Sequence, residues 1–217
     1  MSEEQQYQMP RIGDDAPYFE VQTTQGPIKS TDYKGKWLVL FSHPADFTPV
    51  CTTEFVAFQE ILPELKELNT ELLGLSIDSN QSHLAWVRNI EENFNVKIEF
   101  PVIADLSKDV AKKYGMIHPN DSGTEANRAV FVIDDQQKIK SIIYYPLTTG
   151  RNMAEIVRLV KALQTTAKHQ VSTPANWTPG DQVLVPPPGT QQDADARVND
   201  DSVEVVDWYL AKKDLNE

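Results

Sequence analysis

The sequence has 217 residues, of which 40% are hydrophobic and 24% are charged, a composition typical of a globular protein and unlike that of a disordered or fibrous chain. Its 20 Lys and Arg side chains against 32 Asp and Glu give a net charge of −12, so nucleic acid and anionic lipid are not expected partners. The longest apolar runs cover only residues 37–41 and 129–133, too short for a membrane span. Residues 1–11 lack the basic lead and apolar core of a secretory signal, and the expected location is the cytoplasm.

The first elements predicted from the sequence are a buried strand and the helix that follows it. The apolar run over residues 37–43 predicts a strand covered on both faces. Thr48 is a suitable N-cap and Pro49 suits the first helical position, so Cys51 is expected in the first helical turn. Apolar residues then recur at three- and four-residue steps, which is typical of an amphipathic helix. These residues are Phe55, Phe58, Leu62, Leu65 and Leu68. Pro63 is expected to bend this helix.

Strands and helices alternate along the rest of the first 170 residues. Further strands are predicted over residues 72–78, 100–104, 129–133 and 139–145, the last two forming an antiparallel hairpin. Helices are predicted over residues 83–94, 108–114 and 153–163. Leu84, Val87 and Ile90 are expected to form the buried face of the first of these helices, and Gly115 is expected to close the second in a left-handed conformation. The pattern predicts an α/β architecture, a mixed sheet with helices on both faces.

The composition changes after about residue 171. Pro174, Pro179 and the triple proline over residues 186–188 predict an extended arm with little helix. Residues 172–217 contain nine acidic and three basic side chains, which suits a solvated linker. The arm also carries apolar side chains, which favour docking onto the rest of the protein. These are Trp177, Val183, Leu184, Val185, Val203, Val205, Val206, Trp208 and Leu210.

Cys51 is the only cysteine, which excludes an internal disulfide framework and a multi-cysteine metal site. A free cysteine is more often an inert core residue than a reactive one. At a helix N-terminus, however, free backbone N–H groups and the positive helix end favour the thiolate. Thr48 can turn its hydroxyl toward the sulfur or toward a bound oxygen atom, and Pro44 and Pro49 stiffen the loop without adding N–H donors. The sequence therefore favours a reactive thiol.

The segment Ser-His-Pro-Ala-Asp-Phe-Thr-Pro-Val-Cys-Thr-Thr-Glu over residues 42–54 resembles the active-site segment of the peroxiredoxins, and most closely that of their one-cysteine subgroup. Three other segments carry the same resemblance. Residues 13–19 resemble the family's opening strand, residues 127–134 its arginine-bearing strand, and residues 145–152 a later loop. The resemblance implies a thioredoxin-like fold, with a peroxidase domain over residues 1–170 and a C-terminal arm for dimerisation over residues 171–217.

The resemblance also implies roles for individual residues. Cys51 is expected to be the peroxidatic nucleophile. Arg128 would hold its thiolate and polarise the peroxide, and Thr48 would hydrogen-bond the sulfur and the substrate oxygen. Pro44 would shield the sulfur from water. A cation and N–H donors near the sulfur suit attack on an O–O bond, because negative charge develops on both oxygens.

Three further residues are expected to support the site. Glu54 would accept a hydrogen bond from Arg128 and fix its guanidinium, and Arg151 would be a second arginine, placed by the sequence at the start of a helix. His43 would either tune the thiolate or be a strand-end histidine satisfied by backbone. Three other histidines, His83, His118 and His169, have no ligand-like spacing, so they are expected to be surface or structural residues and no metal is predicted.

The implied activity is thiol-dependent reduction of hydrogen peroxide and organic hydroperoxides through a Cys51 sulfenic acid. Without a second cysteine, an external thiol, either a small molecule or a redox protein, must restore the enzyme, and no cofactor is expected. A homodimer is implied, with a larger ring as the alternative assembly. A competing hypothesis is a redox-switched peroxide sensor or holdase chaperone. A cysteine hydrolase built from Cys51, His43 and Asp46 is disfavoured, because members of such triads usually come from separate segments.

Overall fold

The computed structural model describes residues 9–215, so the start of the chain and its last two residues, including most of the segment considered for a signal, lie outside the described residues. The chain divides into two compact units, one ending at Met153 and the other beginning at Ala154. The predicted boundary after residue 170 stays a prediction. No helix in the described part of the chain is long and apolar enough to span a membrane.

The first unit is built on a seven-stranded mixed sheet with the strand order β2-β1-β5-β4-β3-β6-β7. Its strands are β1 (Glu20–Thr23), β2 (Gly26–Lys29), β3 (Trp37–Ser42), β4 (Thr70–Ser76), β5 (Val102–Ala104), β6 (Arg128–Ile133) and β7 (Ile139–Tyr145). The β3–β4 and β4–β5 pairs are parallel, and the other pairs are antiparallel. The predicted strand after residue 37 and the predicted hairpin of β6 and β7 are confirmed. The hairpin of β1 and β2 was not predicted, and residues 13–19, expected to be a strand, precede β1 and contribute only one bridge.

The helices of this unit are α1 (Pro49–Glu67), α2 (Asn80–Phe94) and α3 (Asp109–Lys113), with a short 3-10 helix over Ser30–Tyr33. They lie on both faces of the sheet, as predicted. Phe41 of β3 stacks on Phe58 of α1 with ring centroids 3.9 Å apart. Its neighbour Leu40 points to the opposite face, because side chains alternate along a strand, and belongs to a core cluster that includes Val110 of α3.

The helix α1 places the cysteine as the sequence predicts. Thr48 is the N-cap in extended conformation and Pro49 is the first helical residue, so Cys51 lies in the first turn. The helix continues through Pro63. Its buried side chains include Phe55, Phe58, Leu62 and Leu65, which confirms the predicted face apart from the half-buried Leu68 at the C-cap.

The face predicted for α2 is wrong. Its buried residues are His83, Trp86 and Ile90, whereas Leu84 is exposed and Val87 is half-buried. The three buried side chains still follow helical spacing, at steps of three and four residues. The spacing of aliphatic residues alone predicts the wrong buried face, because a hydrogen-bonded histidine and a tryptophan are buried here instead of Leu84 and Val87. Gly115 has a φ of +66° after α3, which confirms its predicted left-handed conformation.

The second unit contains most of α4 (Met153–His169) and a small sheet with its own short helix. Its other elements are β8 (Val183–Leu184), α5 (Gln191–Arg197), β9 (Glu204–Asp207) and β10 (Leu210–Lys213). The three strands form a sheet of order β8-β10-β9. The sequence predicts an extended arm here, and this is wrong in part, because α5 and the sheet interrupt it. Thr190 caps α5 by accepting a hydrogen bond from the Asp193 N–H, and the helix begins three residues after the last residue of the triple proline.

The apolar side chains of the arm have two different fates. Trp177 and Val183 are buried in a cluster with Ala162 of α4, and the Trp177 carbonyl accepts a hydrogen bond from Arg158 Nη1 at 2.9 Å. This part of the arm docks, as expected. Val206 and Trp208 instead stay exposed, as does Tyr209, which was not among the residues expected to dock.

Candidate active site

Cys51 is fully buried at the N-terminus of α1. The loop between β3 and α1 precedes it, and this loop carries His43, Pro44 and Thr48, of which the first two are buried and the third is half-buried. β3 is an inner strand of the sheet, so its end delivers the loop to the centre of the unit. The first turn of a helix offers N–H groups without helical partners, and the sulfur therefore lies in a position suited to negative charge.

Arg128, the first residue of β6, makes the closest polar contact of the sulfur. Its Nη1 donates to Cys51 Sγ at 3.3 Å and to Glu54 Oε2 at 2.7 Å. Its Nε and Nη2 both donate to the carbonyl oxygen of Leu147, at 2.9 and 2.7 Å. The guanidinium is thus held on two sides, and its plane is fixed against the sulfur before any substrate arrives.

Glu54 and Arg151 complete a buried charge cluster around Arg128. Arg151 donates from its backbone N–H and Nε to Glu54 Oε1, at 2.9 and 2.8 Å, and from Nη2 to Oε2 at 2.7 Å. Its Nη1 donates to the carbonyls of Ser42 and Ala129, each at 2.9 Å. Arg151 precedes α4 by two residues and lies outside the helix, which corrects its predicted place at a helix start.

The carboxylate of Glu54 is ionised in this surrounding. Burial by itself raises the pKa of Glu54, but the hydrogen bonds and positive charge of Arg151, together with the charge of Arg128, outweigh burial and lower it. Burial also lowers the pKa of Arg151, opposed by Glu54, yet an arginine stays charged in proteins. One carboxylate therefore faces two guanidinium groups, and the cluster carries one excess positive charge beside the sulfur.

Thr48 occupies the N-cap position without using its side chain as a cap. Its hydroxyl instead donates to the carbonyl of Ala45 at 2.8 Å, so its lone pairs remain available as acceptors. The preceding residue, Phe47, has a φ of +55° and an exposed ring. Positive φ is uncommon for a bulky residue, and it costs on the order of 1–3 kcal/mol that the surrounding structure must compensate.

A second buried cluster lies under the loop, and the sequence analysis missed most of it. Asp46 accepts from His43 Nε2 at 2.9 Å through Oδ1 and from His83 Nδ1 at 2.8 Å through Oδ2. The other ring nitrogen of His83 lies 3.0 Å from the carbonyl of Ile103. His83 was expected to be a surface or a structural residue, and its burial and hydrogen bonds agree with the second alternative. A histidine on the buried face of α2, in register with Trp86, was the signal that could have found this cluster.

This cluster is also the one group, among residues 9–215, whose donors could converge on a metal ion, since its ligand atoms lie within 4.8 Å of one another. The same atoms, however, are engaged in hydrogen bonds between His43, Asp46 and His83. Those bonds account for the arrangement, and we assign no metal to it.

The structure brings together five of the seven residues predicted for the site: Cys51, Arg128, Glu54 and Arg151 share direct contacts, and Thr48 occupies the N-cap position of the helix that carries Cys51. Pro44 is buried in the same loop. The ring of His43 makes no hydrogen bond to the sulfur or to backbone in the described structure. Its Nε2 bonds Asp46, and its Nδ1 is buried without a partner there. The hydrolase arrangement therefore lacks the contact between base and nucleophile that it requires.

Comparison with known proteins shows which family the chain belongs to. The AhpC/TSA family model matches residues 12–142, and the model for the C-terminal domain of 1-Cys peroxiredoxin matches residues 162–200. A peroxiredoxin of Aquifex aeolicus is 56% identical, with 94% of this chain and 97% of the relative covered. A peroxiredoxin of Methanosarcina mazei is 55% identical, with 94% and 98% covered.

Two solved structures have the same fold. A yeast mitochondrial 1-Cys peroxiredoxin, described with a thiol resolving mechanism via glutathione/thioredoxin systems, matches with a TM-score of 0.85 and 42% identity, covering 95% of this chain and 100% of its own. A cysteine-to-serine mutant of the peroxiredoxin 6 of Arenicola marina matches with a TM-score of 0.83 and 36% identity, covering 94% and 98%.

The chain therefore belongs to the AhpC/TSA family and, within it, to the one-cysteine peroxiredoxins. Its fold is the thioredoxin-like peroxiredoxin fold with a C-terminal extension that carries a second small sheet. It is a thiol peroxidase. These findings confirm the predicted resemblance, fold class and enzyme class.

Proposed function

We propose that the protein reduces hydrogen peroxide and organic hydroperoxides through a sulfenic acid on Cys51 and serves in antioxidant defence. The observation that supports this most directly is the 3.3 Å contact between Arg128 Nη1 and Cys51 Sγ inside a buried cluster. The two guanidinium groups exceed the single carboxylate of Glu54 by one charge. A thiolate on Cys51 neutralises that excess, which favours the reactive form of the sulfur.

In the first step the Cys51 thiolate attacks one oxygen of the hydroperoxide. An S–O bond forms, the O–O bond breaks, and the leaving oxygen takes a proton from solvent to give an alcohol, or water when the substrate is hydrogen peroxide. The sulfur loses two electrons and the peroxide gains them. Negative charge on the leaving oxygen is what a preorganised guanidinium stabilises, and Arg128 is held by Glu54 and the Leu147 carbonyl in a position to do so.

The other residues of the loop support this step in distinct ways. Thr48 accepts a hydrogen bond from the peroxide O–H, since its own proton is donated to the Ala45 carbonyl. Pro44, buried beside His43 in the same loop, restricts water at the sulfur and offers no N–H. Arg151 orients Glu54, and Glu54 in turn orients Arg128.

Reduction of the sulfenic acid requires a thiol from outside the chain, because Cys51 is the only cysteine. The external thiolate attacks the oxidised sulfur, an S–S bond forms and hydroxide leaves; a second thiol then displaces Cys51 and forms a disulfide with the first. No cofactor takes part. The yeast relative is described with glutathione/thioredoxin systems, which supports glutathione and a thioredoxin as the first reductants to test.

The assembly we propose is a cytoplasmic homodimer of the peroxidase domain, residues 1–170, with the arm, residues 171–217, contributing to dimerisation; a larger ring is the alternative. Exposed apolar side chains at Val206, Trp208 and Tyr209 support an interface in the arm. The net charge of −12 supports the expectation that neither nucleic acid nor a membrane surface is a partner.

The test is rapid mixing of reduced protein with substoichiometric hydrogen peroxide, followed by intrinsic tryptophan fluorescence, with Cys51→Ser as the control. We expect a fast fluorescence change that is complete with one equivalent of peroxide and is absent from the variant. We also expect a sulfenic acid, seen as a mass increase of one oxygen atom and, in a separate sample, trapped by dimedone. Turnover is then measured with glutathione and with thioredoxin. A rate no faster than that of a free thiol would overturn the peroxidase proposal. Fast oxidation without turnover by any thiol would instead favour the peroxide sensor or holdase.

A further inference from the structure

Asp46 is held at three points although it has no expected part in the chemistry. Its backbone N–H donates to Asp78 Oδ2 at 3.0 Å, and its two carboxylate oxygens accept from His43 and His83. Asp78 is itself fixed by Ser76, which donates its hydroxyl to the same Oδ2 at 2.7 Å. The middle of the loop is therefore tied to the end of β4 and to α2, two elements outside the active-site motif.

The ring of His83 has a polar partner on each side. Its Nε2 faces the carbonyl of Ile103 at 3.0 Å, and its Nδ1 faces the carboxylate of Asp46 at 2.8 Å. With full burial of the side chain, an unsatisfied partner would be costly. The ring of His83 therefore links Asp46 of the loop to Ile103 of β5.

Phe47, the residue after Asp46, adopts a conformation that the surrounding structure must support. Phe47 has a φ of +55°, and its largely exposed ring contacts Trp86 of α2 at a centroid distance of 6.4 Å, so its own side chain supplies only part of the support that this conformation needs. The fixed Asp46 precedes it, and the N-cap Thr48 follows it. A change in the Phe47 backbone would turn the Thr48 hydroxyl and shift the first turn of α1, where Cys51 lies.

We propose that the buried hydrogen-bonded pair of Asp46 and His83 positions the loop between β3 and α1, holding Phe47 in its left-handed conformation and Thr48 at the N-cap of α1. His83 is thus a positioning residue for the peroxide reaction, contributed by α2. This inference rests on the proposed function. It adds a residue from a second segment, some thirty positions beyond the motif, on which the geometry of the motif depends.

The test compares Asp46→Asn and His83→Gln with Asp105→Asn. The asparagine presents one acceptor oxygen and an NH₂ group where two ring nitrogens point, and the glutamine lacks the ring that spans Asp46 and the Ile103 carbonyl. Asp105 is a matched control, a buried carboxylate that accepts only from α3, at Val110 N and Ala111 N. For each folded variant we would measure the second-order rate with hydrogen peroxide and the rate of Cys51 alkylation by iodoacetamide at neutral pH.

We expect the peroxide rates of Asp46→Asn and His83→Gln to fall roughly 10- to 100-fold, as for a misplacement of about 1 Å. Their alkylation rates are expected to change by less than about 3-fold. Alkylation needs the thiolate but not the placement of Thr48, so the alkylation rate reports on Cys51 alone. If Asp46 and His83 contributed only to stability, the peroxide and alkylation rates of the folded variants would both stay near those of the wild type. Asp105→Asn is expected to lower the thermal midpoint and leave both rates unchanged. Wild-type peroxide rates in folded Asp46→Asn and His83→Gln would overturn the inference.

A second measurement applies even if the variants do not fold. In wild-type protein labelled with ¹⁵N-histidine, we expect a ring N–H of His83 that is hydrogen-bonded and protected from exchange with solvent. A rapidly exchanging His83 ring N–H would overturn the inference. Failure of the proposed function is separable from both results, because it would appear as a slow peroxide reaction in the wild-type protein itself.

Discussion

Arg128 and Cys51 are joined by a hydrogen bond from Nη1 to Sγ at 3.3 Å, at a point where both side chains are buried. The same Nη1 also donates to Glu54, and Nε and Nη2 both donate to the Leu147 carbonyl. A lysine has one nitrogen at the end of a flexible stem and cannot make this set of contacts. The charge near the sulfur therefore has a fixed direction as well as a fixed sign.

Replacing Arg128 by alanine is expected to slow the reaction of Cys51 with hydrogen peroxide by about 10²-fold or more, as for the loss of one donor to the transition state. Arg88→Ala is the control, because Arg88 is an exposed arginine of α2. Stopped-flow fluorescence measures both rates. An Arg128→Ala rate within a few-fold of wild type would show that the guanidinium does not act on the peroxide.

Thr48→Val keeps the shape of the side chain and removes its hydroxyl, and we expect the peroxide rate to fall by about 10²-fold. Thr53→Val is a matched control from the same helix, since the Thr53 hydroxyl only donates to the Val50 carbonyl and is exposed. Both variants are compared at saturating reductant in a peroxide competition assay. Equal rates for the two would contradict the role proposed for Thr48.

Glu54→Gln is expected to lower the free energy of unfolding by about 3–5 kcal/mol, because it leaves two buried guanidinium groups without their carboxylate. Glu155→Gln is the control: Glu155 pairs with Arg158 near the surface, and such a pair contributes only about 0–1 kcal/mol. Urea unfolding followed by circular dichroism measures both. A similar loss in the two variants would mean that the buried cluster does not stabilise the fold.

Acid is expected to destabilise the protein in two stages. Burial lowers the pKa of His43 despite the bond to Asp46, so below about pH 6.5 the unfolded chain binds a proton that the folded chain does not. Burial raises the pKa of Asp46, but the bonds from both histidines outweigh it and lower the pKa overall; the pKa of Glu54 is lowered as well.

Stability should therefore be highest above about pH 6.5, decline below it, and decline further below about pH 4, where the carboxyls of the unfolded chain take up protons. Urea unfolding at a series of pH values tests this dependence. A free energy of unfolding that stays constant from neutral pH down to about pH 4 would contradict the effect assigned to His43.

Trp177→Ala is expected to cost about 3–5 kcal/mol, as for truncation of a large buried side chain. Trp177 packs in the cluster with Ala162 and Val183, and its indole N–H donates to the Asp181 carbonyl. Trp208→Ala is the control, since Trp208 is exposed. Thermal unfolding compares the two, and equal midpoints would show that the arm does not dock through Trp177.

The sequence was sufficient for the charged part of the site. Cys51, Glu54, Arg128 and Arg151 are side chains of unusual type at unusual places, and the motif that contains the first two identifies the others by resemblance. The carbonyl of Leu147 could not be predicted in this way. Any residue presents a carbonyl, so the choice of acceptor depends on the course of the loop after β7 and leaves no mark on residue type.

The buried support of the loop was also beyond the sequence, for a different reason. His83 lies outside the motif, and its pairing with Asp46 depends on how α2 packs against β5. The predicted face of α2 was wrong because aliphatic periodicity selected Leu84 and Val87. The elements of the arm were missed because a cap at Thr190 and short strand pairs outweigh a composition that favours extended chain.

The burial of Cys51 sets a size threshold for each half of the catalytic cycle. A side chain with no exposed surface can be reached only when its surroundings move, and a molecule as small as hydrogen peroxide needs a smaller opening than a thiol carried on another protein. In the cycle proposed above, a second peroxide and the reductant therefore compete for the sulfur once Cys51 has been oxidised. A stiffer first turn of α1 would favour irreversible oxidation by a second peroxide over reduction by the larger thiol. In this cycle the mobility of one helical turn determines how many turnovers each molecule completes.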